Sequence, residues 1–348
     1  LPQLHGPAWR NRLMLAPLTN TQSHADGTLS DDEIRWLTTR TGFGLSMSAA
    51  AFVTPSGRSW VGQLGVSEDA HLPGLRRMAD GIRATGAVSA VQLQHGGARA
   101  DASLTGERIA PVADDATGAR AVTTTEIHAL VQDFADAARR VEQAGFDGVQ
   151  LHGAHGYLIC QFLSRSNTRT DGYGGDLADR TRILREMIDA VRAATSPSFQ
   201  VGVRLSVERF GIDLEDMVTL AADLLQDERL DHVEASLWDW RKRPEGAPED
   251  APDLLSHFVG LPRDGVALGI AGHVRSGADA QTVLDAGADF ATIGRAAIAD
   301  HAFAARTLAD STYDGVPFPV TAQHLREQHL GEAFVDYFSR GWPDYIAD

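Results

Sequence analysis

The sequence has little cysteine and no long apolar run. Its 348 residues include one cysteine, Cys160, so neither an intrachain disulfide nor a cysteine-ligated iron–sulfur cluster can form. No apolar stretch approaches the roughly 18–20 residues that a membrane-spanning helix requires. The first residues, LPQLHGPAWRNRL, also lack the basic-then-apolar pattern of a signal peptide. These absences predict a cytoplasmic protein that does not act at membranes.

Positive charge is also scarce. The chain carries 31 lysines and arginines against 47 aspartates and glutamates, a formal net charge of −16. This excess of negative charge argues against non-specific nucleic-acid binding. The G-x-G-x-x-G fingerprint is missing as well, because Met47 stands where a third glycine would follow Gly42 and Gly44. A Rossmann nucleotide-binding domain is therefore not indicated.

The chain does contain eight short apolar runs, most of them followed by an amphipathic helical pattern. This alternation predicts βα units and a parallel sheet, and eight such units predict closure into a (β/α)8 TIM barrel. We expect a single α/β domain over residues 1–348, with a barrel core at about 11–310 and a C-terminal extension at 311–348. The predicted strands are Leu13–Leu18, Phe43–Ala49, Val88–Gln94, Gly148–His152, Gln200–Leu205, His232–Ser236, Val266–Ala271 and Phe290–Gly294.

The clearest helix is predicted for Thr123–Ala144. Thr123 and Glu126 fit a capping box, and apolar residues then recur at helical spacing. A shorter helix is predicted for Asp279–Ala286. Three other segments are too long for simple connections, and long βα loops usually build or cover the site of such a barrel. These segments are residues 95–122, 237–262 and 311–348.

The most informative stretch is residues 144–175, AGFDGVQLHGAHGYLICQFLSRSNTRTDGYGG. A predicted strand ends there at His152, and His155 and Tyr157 follow. Barrel chemistry lies at the C-terminal ends of strands, where two imidazoles and a phenol can bind an oxyanion and donate a proton. Taken alone, the histidines are also consistent with structural residues or with half of a metal site. A tetrahedral zinc site needs a third ligand, and none follows at a convincing spacing.

Other strand ends also carry polar residues with two interpretations each. Pro17 and Thr19 are consistent with a simple strand stop as well as with a site. Gln92 points either into the barrel or outward. Arg204 stands in an apolar run, where a cation requires either an internal salt bridge or an anionic ligand.

The ends of the seventh and eighth strands suggest a phosphate site. Barrels of this kind often bind phosphate there, through backbone N–H groups near glycines and the positive end of a short helix. Gly272 and Gly294 fit this pattern, and Arg295 adds a charged partner.

Residues 144–175, including the tail QFLSRSNTRTDGYGG, resemble the Old Yellow Enzyme family of flavin-dependent ene-reductases. The runs LAPLTNTQS, VSAVQLQHGGAR and Arg-Leu-Ser at 204–206 extend the resemblance over nearly the whole chain. The resemblance implies non-covalent FMN at the top of the barrel. It also implies NADPH or NADH as a transient reductant that stacks on the flavin, and an enone, enal or nitroalkene as substrate. We also expect a homo-oligomer.

The same resemblance implies a role for each matching residue. Pro17 would lie beside the flavin, Thr19 would bond flavin O4, and Gln92 would bond the pyrimidine edge. Ala50 would leave room for the ring edge, and Arg204 would face N1 and O2. The phosphate would be held by Gly272, His273, Gly294 and Arg295, although relatives often have Gly or Asn at the position of His273. His152 and His155 would bind the activating oxygen of the substrate, and Tyr157 would protonate its α-carbon.

Several alternatives remain open at this point. A flavin-dependent dehydrogenase or isomerase would share the same flavin apparatus. A flavin-free, metal-dependent lyase or aldolase would leave Thr19, Gln92 and Arg204 unexplained, and a non-catalytic barrel would not need the histidine pair or Tyr157. The loop residues Trp238, Trp240, Arg241 and Arg243 either wall a substrate pocket or belong to a solvated loop with packed tryptophans. The tail residues Phe334, Tyr337, Phe338 and Trp342 are expected to pack against a neighbour or a second subunit rather than to contact ligand.

Overall fold

A closed barrel of eight parallel strands organises the computed structural model, which describes residues 1–347. Each strand pairs with its chain neighbour, and β8 closes the barrel on β1 through Leu13–Ala291 and Leu15–Ile293. The prediction of a (β/α)8 barrel is confirmed. The strands are β1 Leu13–Leu15, β2 Leu45–Phe52, β3 Val88–Gln94, β4 Gly148–Gly153, β5 Gln200–Ser206, β6 His232–Ser236, β7 Ala267–Ala271 and β8 Phe290–Ile293.

The second strand differs most from its predicted bounds. It continues to Phe52, three residues beyond Ala49, and its register with β3 shifts between Met47 and Ala50. The extension is stabilised by pairing, because Phe52 also bonds through its backbone to Leu64 in the following loop. Ala50 consequently lies inside the strand, opposite Gln92.

The N-terminal segment closes the bottom of the barrel. Trp9 is 1% exposed and donates its indole N–H to Gln200 Oε1 at 3.0 Å. Its ring packs edge-on against Phe290, with centroids 4.9 Å apart. Met14 and Met47 fill the same buried layer. Because this end is filled, a ligand can enter the barrel only at the C-terminal ends of the strands.

Helices pack outside the barrel and bury a second, larger apolar layer. The predicted capping box is present, with Thr123 and Glu126 bonded reciprocally at the start of the fourth helix. The ninth helix begins two residues before its predicted start, because the Ser276 side chain caps it. The helices of residues 1–347 are α1 Asp31–Thr39, α2 Leu72–Ala84, α3 Ala102–Thr105, α4 Thr124–Gln143, α5 Leu158–Leu163, α6 Leu177–Ala194, α7 Leu214–Leu224, α8 Ser256–Val259, α9 Gly277–Asp285, α10 Arg295–Ala299, α11 Phe303–Ala309, α12 Ala322–Glu327 and α13 Glu332–Gly341.

The C-terminal extension folds back over the open end of the barrel. Phe334 of α13 packs edge-on against Trp36 of α1, with ring centroids 4.8 Å apart. Two short parallel strands, Val320–Thr321 and Ile346–Ala347, pair with each other in this extension. None of the helices within residues 1–347 has the length and apolarity needed to cross a membrane.

Candidate active site

A cavity opens at the C-terminal ends of β1, β4, β5, β6, β7 and β8. Strand ends meet at one edge of a parallel barrel, so residues far apart in sequence share this space. Helix α13 lines it from above with Phe334, Tyr337 and Phe338. Eight of the predicted site residues line the cavity directly: Pro17, Thr19, His155, Arg204, Gly272, His273, Gly294 and Arg295.

The two histidines and the tyrosine form one cluster beside this cavity. The rings of His152 and His155 have centroids 5.1 Å apart, and those of His152 and Tyr157 are 5.3 Å apart. His152 is 3% exposed, and its Nδ1 has no hydrogen-bond partner among the described residues. A buried polar atom without a partner is costly, which indicates a position where a ligand atom can bond.

Both imidazoles are neutral near pH 7. Burial lowers the pKa of His152 well below its ordinary value, and His155, Arg204 and Arg99 lower it further. Burial also lowers the pKa of His155, with Arg204 and Arg99 acting in the same direction. Burial raises the pKa of the Tyr157 phenol, so this group keeps its proton. The cluster therefore offers neutral hydrogen-bond donors and one proton-bearing phenol.

The backbone that carries the cluster is strained and held by several contacts. His155 has φ of 59°, a left-handed conformation that is uncommon for a residue with a side chain. Its N–H donates to Ser206 Oγ at 2.9 Å, and its Nε2 lies 3.1 Å from Ser236 Oγ. Its carbonyl accepts a hydrogen bond from Arg99. The sequence did not single out Arg99, although Arg99 lies in the long segment 95–122.

Arg204 combines the two roles that the sequence left open. Its Nε lies 3.2 Å from Glu234 Oε1, and Glu234 is fully buried. The alignment is too poor for a hydrogen bond between these two atoms, and each lacks another partner among the described residues. The guanidinium also donates to Ser236 Oγ at 3.3 Å and faces the cavity. Arg204 thus has an internal counter-ion and a donor that remains available.

Gln92 and Ala50 are not among the residues that line the cavity. Gln92 is 1% exposed and points into the barrel, where its amide donates to Gln150 Oε1 at 2.8 Å. Gln150 in turn donates to Glu234 Oε2 at 2.9 Å. Ala50 is 6% exposed, and its carbonyl accepts from Gln63. Their proposed contacts with the flavin ring remain predictions.

The C-terminal tail and the loop after β6 contribute unequal numbers of residues to the cavity lining. Phe334 and Phe338 are buried within this chain, as expected for packing against a neighbouring element, and all four predicted tail residues, including Tyr337 and Trp342, line the cavity. Because α13 folds over the barrel mouth, the tail lies beside the space that a ligand would occupy, and its expected lack of ligand contact stays a prediction. In the loop after β6, Trp238 lines the cavity with 48% of its surface exposed.

The other predicted residues of that loop do not line the cavity. Trp240 packs against the apolar core, Arg241 pairs with Asp279, and Arg243 donates to the Ala251 carbonyl. Within residues 1–347, no three His, Cys, Asp or Glu side chains converge as a metal site would require.

The family profile for NADH:flavin oxidoreductases and NADH oxidases matches residues 5–313. The chain belongs to this family. It is 36% identical over 312 residues to a probable NADH-dependent flavin oxidoreductase of Bacillus subtilis, covering 85% of this chain and 83% of that protein. NADH:acrylate oxidoreductase of Vibrio harveyi is 31% identical over 327 residues, which are 88% of this chain but only 32% of that longer protein.

Solved structures show the same relationship. An Old Yellow Enzyme homologue from Zymomonas mobilis is similar with a TM-score of 0.79 and 25% identity, over 97% of this chain and 99% of that one. Morphinone reductase in complex with tetrahydroNAD has a TM-score of 0.78 and 27% identity, over 100% and 98% of the two chains. The protein is thus an oxidoreductase of the Old Yellow Enzyme family, with FMN as cofactor and NAD(P)H as reductant.

The residues at the ends of β7 and β8 fit the FMN phosphate of this family. A Cβ added to Gly294 would point into the cavity and meet nothing closer than Leu18 Cδ2 at 3.7 Å, so protein packing does not require this glycine. Gly272 has φ of 147°, and a Cβ there would lie 3.1 Å from the Trp238 backbone. The space beside Gly294 would let a ligand approach the backbone, whereas the positive φ of Gly272 by itself favours glycine.

Two arginines give this end of the cavity its positive charge. Arg295 and Arg275 both donate to the Tyr345 hydroxyl, the latter at 2.9 Å, and neither has a carboxylate partner among the described residues. His273 is held by Asp239, with Nδ1 and Oδ2 3.0 Å apart, and has φ of 54°. The arginines meet the charge requirement of a phosphate. Arg275 and Tyr345 were not identified from the sequence.

Proposed function

We propose that this enzyme reduces a carbon–carbon double bond conjugated to a carbonyl or nitro group, with NAD(P)H as the electron source. The observation that carries the proposal is the cluster of His152, His155 and Tyr157, in which two neutral imidazoles lie beside a protonated phenol. Relatives named for acrylate and morphinone reduction support the same class of substrate.

Bound FMN would supply the hydride chemistry that links NAD(P)H to the β-carbon of the alkene, and the residues that would hold it line the cavity. Arg204 and Thr19 both line the cavity, and we assign both to the flavin ring. Arg204 adds a positive charge there. Positive charge at this point favours a reduced, anionic cofactor. Gly272, Gly294 and Arg295 are assigned to its phosphate.

His152 and His155 are assigned to the activating oxygen of the substrate. Negative charge builds on this oxygen as the β-carbon accepts hydride, and donors placed in advance stabilise it. Neutral imidazoles suit this task, because each offers an N–H without the hydration cost of a buried cation. The unpartnered Nδ1 of His152 is consistent with such a bond.

Tyr157 is assigned as the proton donor. Its O–H bond breaks as a C–H bond forms at the α-carbon, and water later returns the proton to the phenolate. Burial raises the pKa of this phenol, so the proton is present before reaction. A positioned general acid typically contributes about 10²- to 10⁴-fold in rate.

The first test is the visible absorption spectrum of the purified protein, before and after heat denaturation. We expect a flavin spectrum whose chromophore is released as FMN. A protein that is colourless as purified, and is still colourless after incubation with FMN and removal of unbound flavin, would overturn the proposal.

The second test compares the two half-reactions of Tyr157→Phe by stopped-flow absorbance. Reoxidation by 2-cyclohexenone should slow by about 10²-fold or more, while reduction by NAD(P)H should be unchanged. Equal effects on both half-reactions would contradict the role of Tyr157. No reoxidation of the wild-type enzyme by any enone would favour a dehydrogenase or isomerase instead.

A further inference from the structure

Arg99 is placed to act on the residues that carry the cluster. It ends the short turn Gly97–Arg99 that follows β3. Its guanidinium donates to the His155 carbonyl and lies 4.7 Å from the centre of the Tyr157 ring, over its face. Its Cδ lies 3.6 Å from the position that a Cβ on Gly156 would take. One side chain thus contacts His155 and Tyr157 and lies beside Gly156 between them.

The charge of Arg99 is not used elsewhere. Most arginines of this acidic chain pair with a carboxylate, but Arg99 has no such partner within residues 1–347. Its positive charge lowers the pKa of both imidazoles and opposes the effect of burial on the Tyr157 phenol. Of the other groups near Tyr157, the Tyr337 phenol acts in the opposite direction. Arg99 is thus the nearby cation that favours negative charge on Tyr157.

We propose that Arg99 is a positioning residue for proton transfer by Tyr157. By bonding the His155 carbonyl, it fixes the turn in which His155 and Gly156 have φ of 59° and 72°, and so sets the position of the Tyr157 phenol that follows. It also stabilises the phenolate that remains when the proton has moved to the α-carbon. This inference depends on the proposed role of Tyr157 as proton donor. The proton balance is unchanged, since the O–H bond of Tyr157 breaks, the C–H bond forms and water restores the phenol.

The test uses Arg99→Gln and Arg99→Lys, each in the wild-type and the Tyr157→Phe background, as FMN-loaded enzyme. Stopped-flow absorbance follows reduction by NADPH or NADH and reoxidation by 2-cyclohexenone. Arg99→Gln should slow reoxidation by about 3- to 30-fold, the range expected for a cation near an aromatic ring. Reduction should change less than about 2-fold. Arg99→Lys should recover part of the loss, because it keeps the charge.

The Tyr157→Phe background tests whether Arg99 acts through the Tyr157 hydroxyl, by placing it and by stabilising its anion. If Arg99 acts through the phenolate, Arg99→Gln should have less than about a 2-fold effect on reoxidation in this background. An equal loss in both backgrounds would overturn the inference, as would an equal effect on reduction, which would place Arg99 in nucleotide binding. If Tyr157→Phe itself has no effect on reoxidation, the proposed proton donor fails instead.

A binding measurement without turnover completes the test. Titration with p-hydroxybenzaldehyde, a phenol, reports on the histidine pair through the flavin absorption spectrum. Arg99→Lys should bind this phenol within about 3-fold of wild type if the turn keeps its conformation. A large loss of affinity in Arg99→Lys together with unimpaired reoxidation would contradict the proposal.

Discussion

Arg204 and Glu234 form an ion pair inside the barrel, with Nε and Oε1 3.2 Å apart. Glu234 is fully buried and also accepts from Gln150, which links it to Gln92. The pair leaves part of the guanidinium facing the cavity. The barrel therefore keeps a cation at its open end while balancing that charge from within.

Loss of this ion pair should account for most of the unfolding free energy that is lost when Arg204 is replaced. Arg204→Met should destabilise the apoprotein by about 3–5 kcal/mol, because it leaves Glu234 buried without a counter-ion. Urea unfolding of the apoprotein measures this without the contribution of bound FMN. The double variant Arg204→Met with Glu234→Gln should recover a large part of the loss. A double variant no more stable than Arg204→Met would show that the ion pair is not the cause.

The histidine pair should be separable from FMN binding. His152→Ala with His155→Ala should weaken phenol binding by at least about 10-fold for each imidazole, since a hydrogen bond to an anionic oxygen is lost each time. FMN content should remain that of wild type. His128→Ala is a matched control, because His128 Nε2 lies 3.1 Å from the Tyr173 hydroxyl and His128 is not part of the cluster. Retained phenol affinity in the double variant would refute the assignment.

The sequence was sufficient to predict the barrel. Apolar runs bounded by turn residues identified all eight strands, and reciprocal capping identified α4. Strand ends were less accurate, because pairing sets them: β1 stops at Leu15 and β2 continues to Phe52. The placement of α13 over the mouth could not be predicted, since helical periodicity gives a buried face but not the element it covers.

The sequence predicted the site residues at strand ends better than those in loops, because the strand pattern does not determine how loops pack. Residues at strand ends, such as Arg204 and His155, converge because the barrel brings strand ends together. Contacts from loops do not follow from the strand pattern, so Arg99 and Tyr345 were missed. One available signal was overlooked: Glu234 is an acid inside the predicted strand His232–Ser236, and a buried acid requires a partner such as Arg204.

A buried histidine next to the site should make stability depend on pH. Burial lowers the pKa of His95 to about 3, and its Nδ1 accepts a hydrogen bond from the Gly97 N–H at 3.0 Å. The unfolded chain binds a proton there below about pH 6.5, while the folded chain does not. The contribution of neutral His95 is therefore complete above about pH 6.5 and is lost as the pH falls towards the folded-state value.

His95→Gln isolates this effect from the other titrating groups. Between pH 6.5 and pH 5, wild type should lose about 1.6 kcal/mol more unfolding free energy than the variant, because the slope rises from half to nearly all of about 1.4 kcal/mol per pH unit for one proton. Urea unfolding at both pH values gives the two differences. Parallel losses in wild type and variant would show that His95 is protonated in the folded state.

The phosphate assignment of Arg295 can be tested with two ligands that differ only in that group. Arg295→Gln should weaken FMN binding by about 10- to 150-fold, the value of a charge-assisted hydrogen bond. Riboflavin lacks the phosphate, so its affinity should be the same in wild type and variant, as measured by quenching of flavin fluorescence. Arg243→Gln is the control, because Arg243 donates to the Ala251 carbonyl and does not line the cavity. Equal weakening of both ligands would mean that Arg295 acts by holding Tyr345 and Trp342 over the cavity rather than by binding phosphate.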